Sequence, residues 1–194
     1  MRNKAMLIGA VRAGKSTLTN ALLGRKVEAF KTQTLSYYDW IVDTPGEYSE
    51  NPMFYKNIMA TALEVTHVLY LQDATSGKLI FPPGFSMGIP KLPIGVITKC
   101  DLPEADLERS LGMLKTVMNQ GPIVMISSVT GMGIEHLKEL TKLNDLTAMQ
   151  QYVESAADPH KTSCPFRYSS CSVIVQVTNR RLPDFLQSPS HSIH

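Results

Sequence analysis

Five short apolar runs punctuate the first two-thirds of the chain: AMLIG (5–9), WIVD (40–43), HVLYLQ (67–72), IGVIT (94–98) and IVMIS (123–127). They lack polar alternation, the mark of strands covered on both faces. Between them, apolar positions recur at helical spacing. KSTLTNALLG closes at Gly24, a suitable helix stop. NPMFYKNIMATALE opens with Asn51 as cap and Pro52 in the first turn. In PEADLERSLGMLKTVMNQG, Leu107, Leu111, Leu114 and Met118 share one face and Gly121 ends the helix. GIEHLKELTKL follows the last run. Strands and helices alternating at this length predict an α/β fold of three layers. Its mostly parallel sheet has five or six strands, joined by right-handed crossovers that put helices on both faces. TQTLSYY (32–38) predicts an extra antiparallel strand at the edge.

Two stretches break the pattern. Residues 73–93 hold four prolines and three glycines. They leave room for only a turn or two of helix around Gly84–Met87, so one crossover helix is reduced. Phe81, Phe85, Met87 and Ile89 are expected to pack down as a loop, the alternative being partial exposure. From Ser155 onward there are eight serines, two of the three cysteines, and little periodicity outside SVIVQV (172–177). The expected division is a nucleotide-binding domain over 1–154 and a disordered or non-native tail over 155–194.

Composition narrows the function. The 194 residues are 43% hydrophobic and 19% charged, enough for a proper core. Nineteen basic against 17 acidic residues leave a formal charge of +2. That balance supports neither a nucleic-acid partner nor a polybasic membrane contact. Cys100, Cys164 and Cys171 form no CxxC pair and no zinc spacing, and their odd number argues against a disulfide framework. Reduced thiols of a cytoplasmic protein are the expectation. The basic start MRNKAMLIGAVRAGKST is interrupted too early by glycines, Arg12 and Lys15 to be a signal peptide. No stretch approaches the ~18 apolar residues of a membrane span.

GAVRAGKS (9–16) fits G-x-x-x-x-G-K-[ST] in full, directly after a strand and opening a helix, the setting of a P-loop NTPase. Gly9 and Gly14 let the backbone curl. The N–H groups of Arg12, Ala13, Gly14, Lys15, Ser16 and Thr17 can then face phosphate oxygens at a helix N-terminus. Lys15 reaches the β- and γ-phosphates, and the Ser16 hydroxyl can bind Mg²⁺. IVDTPGEY (41–48) adds Asp43, a carboxylate at a strand end that can hold Mg²⁺ through water. It also adds Gly46, whose N–H can approach a γ-phosphate unhindered. In that order the two pieces point to a switch that senses the γ-phosphate.

VITKCD (96–101) decides the base. Asp101 can accept from the two donors on guanine's edge, whereas adenine presents an acceptor there. Lys99 lays its stem along the base plane, and the Thr98 hydroxyl can do part of the work of the more usual asparagine in bracing the phosphate loop. A guanine nucleotide is the reading preferred here. The alternatives are an adenine nucleotide, or a solvated strand end with Asp101 capping the next helix. Ser127, Ser128 and Val129, at the end of the next strand, suit a loop whose N–H supports the guanine carbonyl.

These pieces occur in one order, each at a strand end, and resemble the small Ras-like GTPases in their bacterial translation-factor-related branch. More narrowly, GAVRAGKSTL, KTQ and DTPGEY resemble the EutP/PduV family of ethanolamine- and propanediol-utilisation operons, over about residues 4–143. The resemblance implies a G-domain in which Gly9, Gly14, Lys15 and Ser16 serve phosphates and Mg²⁺. It assigns Asp43 and Gly46 to the switch, and Thr98, Lys99 and Asp101 to the base. It also implies a threonine hydroxyl on Mg²⁺ from the first switch, with Thr32 and Thr34 both available. The cofactors implied are GTP or GDP with Mg²⁺, with ATP as the alternative. The family context implies a protein partner beside bacterial microcompartments.

The expected activity is a GTP-binding switch with slow hydrolysis, Lys15 and Glu47 being the catalytic candidates. Glu47 stands where such enzymes often carry a water-orienting glutamine, and a carboxylate there is repelled by the γ-phosphate. The competing expectation is a metabolic kinase passing the γ-phosphate to a small acceptor. His67, in a strand, and His136, in a helix, read as packing or surface residues rather than as an acceptor site.

Overall fold

The computed structural model describes residues 3–25, 33–156 and 174–177. The strands are β1 (Ala5–Gly9), β2 (Ser36–Tyr38), β3 (Ile41–Asp43), β4 (His67–Asp73), β5 (Leu92–Thr98), β6 (Gly121–Met125) and β7 (Ile174–Val177). They form one sheet in the order β2-β3-β1-β4-β5-β6-β7. β3, β1, β4, β5 and β6 run parallel. β2 and β7 pair antiparallel at the two edges.

Alternation along the buried strands builds two cores. Met6 and Ile8 face one side with Tyr70, Ile97 and the helices α3 (Tyr55–Ala62) and α4 (Leu107–Val117). Ala5 and Leu7 face the other, with Leu69, Val96 and the helices α1 (Lys15–Leu22), α5 (Ile134–Leu140) and α6 (Leu146–Ala156). This is the expected three-layer α/β arrangement. The parallel register, Gly9 opposite Leu71 and Asp73 opposite Thr98, aligns the C-terminal strand ends along one margin of the sheet. Ligands of such sheets bind at that margin.

The β4–β5 crossover is short of helix, as expected: Phe85–Gly88 forms one 3₁₀ turn. Aromatic packing replaces the helix. Phe81 and Phe85 stack at 5.0 Å and meet Tyr70 and Tyr55 edge-on. Phe81, Phe85 and Ile89 are buried, while Met87 is 70% exposed.

Some local expectations change. NPMFYKNIMATALE is not one helix: a 3₁₀ turn, Pro52–Phe54, leads into α3, and a separate short helix α2 (Gly46–Glu50) precedes it. The Asn51 side chain accepts from the Met53 N–H, so it caps that turn rather than a long helix. α4 starts at Leu107 because Asp106 caps it, accepting from the Arg109 N–H. Gly121 does not stop α4, which already ends at Val117. It opens β6 at φ 99°, where a Cβ would lie 2.4 Å from the Pro93 carbonyl oxygen. Within 155–194, Ile174–Val177 pairs with Gly121–Val124 and makes the sheet seven strands wide. The rest of that segment, beyond Ala156, lies outside the described residues.

Candidate functional site

The phosphate loop links β1 to α1. Arg12 (φ 66°) and Gly14 (φ 85°) both take left-handed backbone, which curls the chain. Arg12 and Thr17 are exposed and Ala13 is buried. A Cβ at Gly9 would come 2.9 Å from the Leu71 side chain and carbonyl, so the loop leaves β1 hard against β4. The Lys15 ammonium lies across the loop, donating to the carbonyls of Gly9 (2.8 Å) and Ala10 (2.7 Å). Burial lowers its pKa to about 8, against the opposing pull of Asp43, Glu47 and Glu50. A cation held this way is poised for polyphosphate, which would stabilise its charge.

Ser16, at the start of α1, donates to Asp43 Oδ2 at 2.8 Å, and Asp43 is 1% exposed. A hydroxyl and a buried carboxylate side by side make an oxygen donor set that fits Mg²⁺. Thr44 anchors this strand end by donating to the Leu7 carbonyl at 2.6 Å. Gly46 then abuts the phosphate loop: a Cβ there would be 2.6 Å from Val11 Cα and N. Glu47 is half-buried beside it. Thr34 is exposed and its carbonyl accepts from Ser36 Oγ. Thr32 lies outside the described residues.

The buried Thr98 hydroxyl donates to the Ala13 carbonyl at 3.0 Å, tying β5 to the phosphate loop. Lys99 takes a left-handed φ of 59° and pairs with Asp73 at the end of β4. Burial pushes the Asp73 carboxyl up, but hydrogen bonds from Lys99 and Thr75 outweigh it and its pKa is lowered. Asp101 is exposed. It does not cap α4, since Asp106 has that role. The Cys100 N–H donates to the Ile126 carbonyl at 3.2 Å, bringing the loop that begins at Ser127 alongside. Ser127 is buried and its Oγ accepts from the Thr130 N–H, while Ser128 is half-buried and Val129 84% exposed.

The fold therefore gathers Gly9–Thr17, Asp43–Glu47, Thr98–Asp101 and Ser127–Ser128 at one margin. It also adds residues that sequence reasoning missed. Ser49 accepts from the Gly9 N–H at 3.1 Å and Glu50 from the Val11 N–H at 2.9 Å. Asp73 orients Lys99. No local pattern marks the first two, which reach the loop from 40 and 39 residues away. Asp73 ends an apolar strand, and that position was the available signal. His67 is buried between Thr66 Oγ1 and the Leu143 carbonyl, and His136 contacts the Tyr152 hydroxyl. His67 stands at the start of β4, the end opposite this margin.

Residues 2–143 match the model of the PduV-EutP family, described as ethanolamine utilisation - propanediol utilisation. The chain belongs to this family. One relative, "Probable acetate kinase EutP" of Salmonella typhimurium strain LT2, is 32% identical over 153 residues, 78% of this chain and 93% of the relative. The "Propanediol utilization protein PduV" of Citrobacter freundii is 35% identical over 99 residues, 51% of this chain and 66% of the relative. Among solved structures, elongation factor SelB of Methanococcus maripaludis with a GTP analogue has a TM-score of 0.52 at 25% identity. That match covers 75% of this chain and 35% of SelB. An Era variant of Aquifex aeolicus bound to GDP and aluminium fluoride has a TM-score of 0.51 at 23% identity, covering 75% of this family member and 58% of Era. The architecture is that of the P-loop GTPases. Among the described residues no helix is long and apolar enough to cross a membrane.

Proposed function

We propose that this family member is a guanine-nucleotide switch with slow, Mg²⁺-dependent GTP hydrolysis, serving ethanolamine or propanediol utilisation through a protein partner. The observation that carries it is the Thr98–Ala13 hydrogen bond, which sets a loop with an exposed carboxylate, Asp101, beside a curled phosphate loop. The resemblance in fold to SelB with a GTP analogue supports guanine. Mg²⁺ would be held by Ser16 and Asp43, with Thr32 or Thr34 completing the set, and would neutralise charge between the β- and γ-phosphates. Lys15 supplies a further positive charge at the same oxygens. Gly46 brings a backbone N–H to the terminal phosphate. Glu47 carries a negative charge there, so unassisted hydrolysis is expected near the ~10⁻⁴ s⁻¹ scale. The partner is a component of a microcompartment in this reading, and the protein acts in the cytoplasm beside it.

A second reading rests on the EutP relatives, whose names state acetate kinase. In it the same loop passes the γ-phosphoryl group from GTP or ATP to a carboxylate oxygen of a small acceptor. Single-turnover assays of GTP and ATP, each with and without acetate, separate the two readings. A switch releases phosphate slowly, prefers GTP and ignores acetate. Acetate-dependent consumption with acyl phosphate as product would establish the kinase instead. Extraction of nucleotide from the purified protein identifies the base.

A further inference from the structure

The short helix after the switch glycine occupies donors of the phosphate loop itself. Ser49, fully buried, accepts from the Gly9 N–H at 3.1 Å, and Glu50 Oε1 accepts from the Val11 N–H at 2.9 Å. The other Glu50 oxygen lies 4.0 Å from Lys78 Nζ. Val11 is also the residue against which Gly46 closes, with no room for a Cβ between them. A carboxylate therefore already sits on a loop N–H, next to the glycine that would meet a terminal phosphate. Carboxylate and phosphate are both anionic acceptors, and backbone N–H groups in a curled loop serve either.

We infer that Glu50 is an internal anion that competes with the terminal phosphate of a nucleoside triphosphate and sets the preference between diphosphate and triphosphate. The inference rests on the nucleotide reading above and adds the control of that site. With a diphosphate bound, Glu50 keeps its bond to Val11 and α2 stays on the loop. A γ-phosphate brings negative charge beside that carboxylate, and repulsion lifts the end of α2. The following turn moves with it. Tyr48 of α2 stacks on Phe54 at 5.4 Å, and Met53 beside it is 77% exposed. Triphosphate binding is thereby tied to the position of an apolar surface.

The test uses the full chain with Glu50→Gln, which keeps an acceptor without the charge, and Glu50→Ala, which removes both. Glu108→Gln, on the exposed side of α4, controls for loss of one negative charge. Affinities for GDP and for a non-hydrolysable GTP analogue are measured with Mg²⁺. Amide exchange at Gly9 and Val11 is followed without nucleotide. Both Glu50 variants should bind the triphosphate about tenfold more tightly while GDP affinity changes less than twofold, a shift worth ~1.4 kcal/mol. Glu50→Ala should also speed exchange at Val11, with Glu108→Gln unchanged in every respect. A triphosphate-to-diphosphate ratio unaltered in both Glu50 variants, with a wild type that binds both nucleotides, would overturn the inference and leave the nucleotide reading intact. Equal weakening of both nucleotides would show that Glu50 merely supports the loop. Failure of the wild type to bind any guanine nucleotide would remove the underlying reading as well.

Discussion

Replacing Thr98 by valine removes one hydroxyl and almost no volume. Thr98 is 2% exposed, and its Oγ1 lies 3.0 Å from the Ala13 carbonyl and 3.4 Å from that of Gln72. The proton goes to Ala13 on distance, so the substitution breaks the tie between β5 and the phosphate loop. A buried neutral hydrogen bond lost this way costs about 1–2 kcal/mol, including part of the penalty for the acceptor left behind. For a domain of this size that lowers Tm by about 2–8 °C. If the brace also holds the loop in its phosphate-binding curl, the same free energy weakens nucleotide affinity about five- to thirtyfold. The ratio of GTP to ATP affinity should not move, because the hydroxyl points at the loop and not at the base. Thr98→Ser keeps the hydroxyl and should recover most of the affinity. The assay is calorimetric or fluorescent titration of both nucleotides against all three proteins, beside thermal unfolding. Unchanged affinity in Thr98→Val would refute the brace. A changed GTP-to-ATP ratio at constant GTP affinity would place Thr98 at the base instead.

Asp101→Asn is expected to shift preference from guanine towards xanthine nucleotides, because the amide offers a donor to xanthine's extra carbonyl; competition binding with GDP and XDP decides it. Lys15→Ala should weaken triphosphate binding at least a hundredfold, the loss of a charge-assisted contact to two phosphates, and titration with a labelled triphosphate reads it directly. A chain ending at Glu154 should hold nucleotide as tightly as the full chain, since the candidate site lies before Val129. It should also self-associate more, because β6 loses β7 and becomes an open edge; sedimentation measures this. Burial lowers the pKa of His67 below its ordinary value, so the unfolded chain binds the proton more readily. Stability is therefore expected to fall as pH drops below about 6.5, by at most ~1.4 kcal/mol per pH unit for this group. His136 is shifted in the same direction, so His67→Gln should flatten the urea-midpoint profile between pH 7.5 and 5.5 without levelling it.

Sequence by itself determined the class of fold and the loops that line the candidate site. Strands buried on both faces must be apolar throughout, and five such runs stand out as β1, β3, β4, β5 and β6. The phosphate loop is legible because its chemistry is local: glycine conformations, a lysine and a hydroxyl within eight positions. Loss of a crossover helix was legible for the same reason, since prolines and glycines rule out a long helix between 73 and 93 without reference to anything distant. Tertiary structure alone decided what depends on register. Ser49 and Glu50 read as ordinary helix residues until parallel pairing of β1 with β3 lays α2 across the phosphate loop. Asp73 finds Lys99 only because β4 and β5 end level, with Asp73 opposite Thr98. Gly121 looks like a helix stop in the sequence, and the Pro93 carbonyl that leaves no room there for a Cβ comes near only once β6 docks on β5. Ile174–Val177 carries a strand's composition, but its place at the sheet edge follows from the ladder on β6, whose partner groups lie some fifty residues earlier. Hydrogen bonds between such distant groups have no local signature, because the free energy that selects them arises only when the layers close.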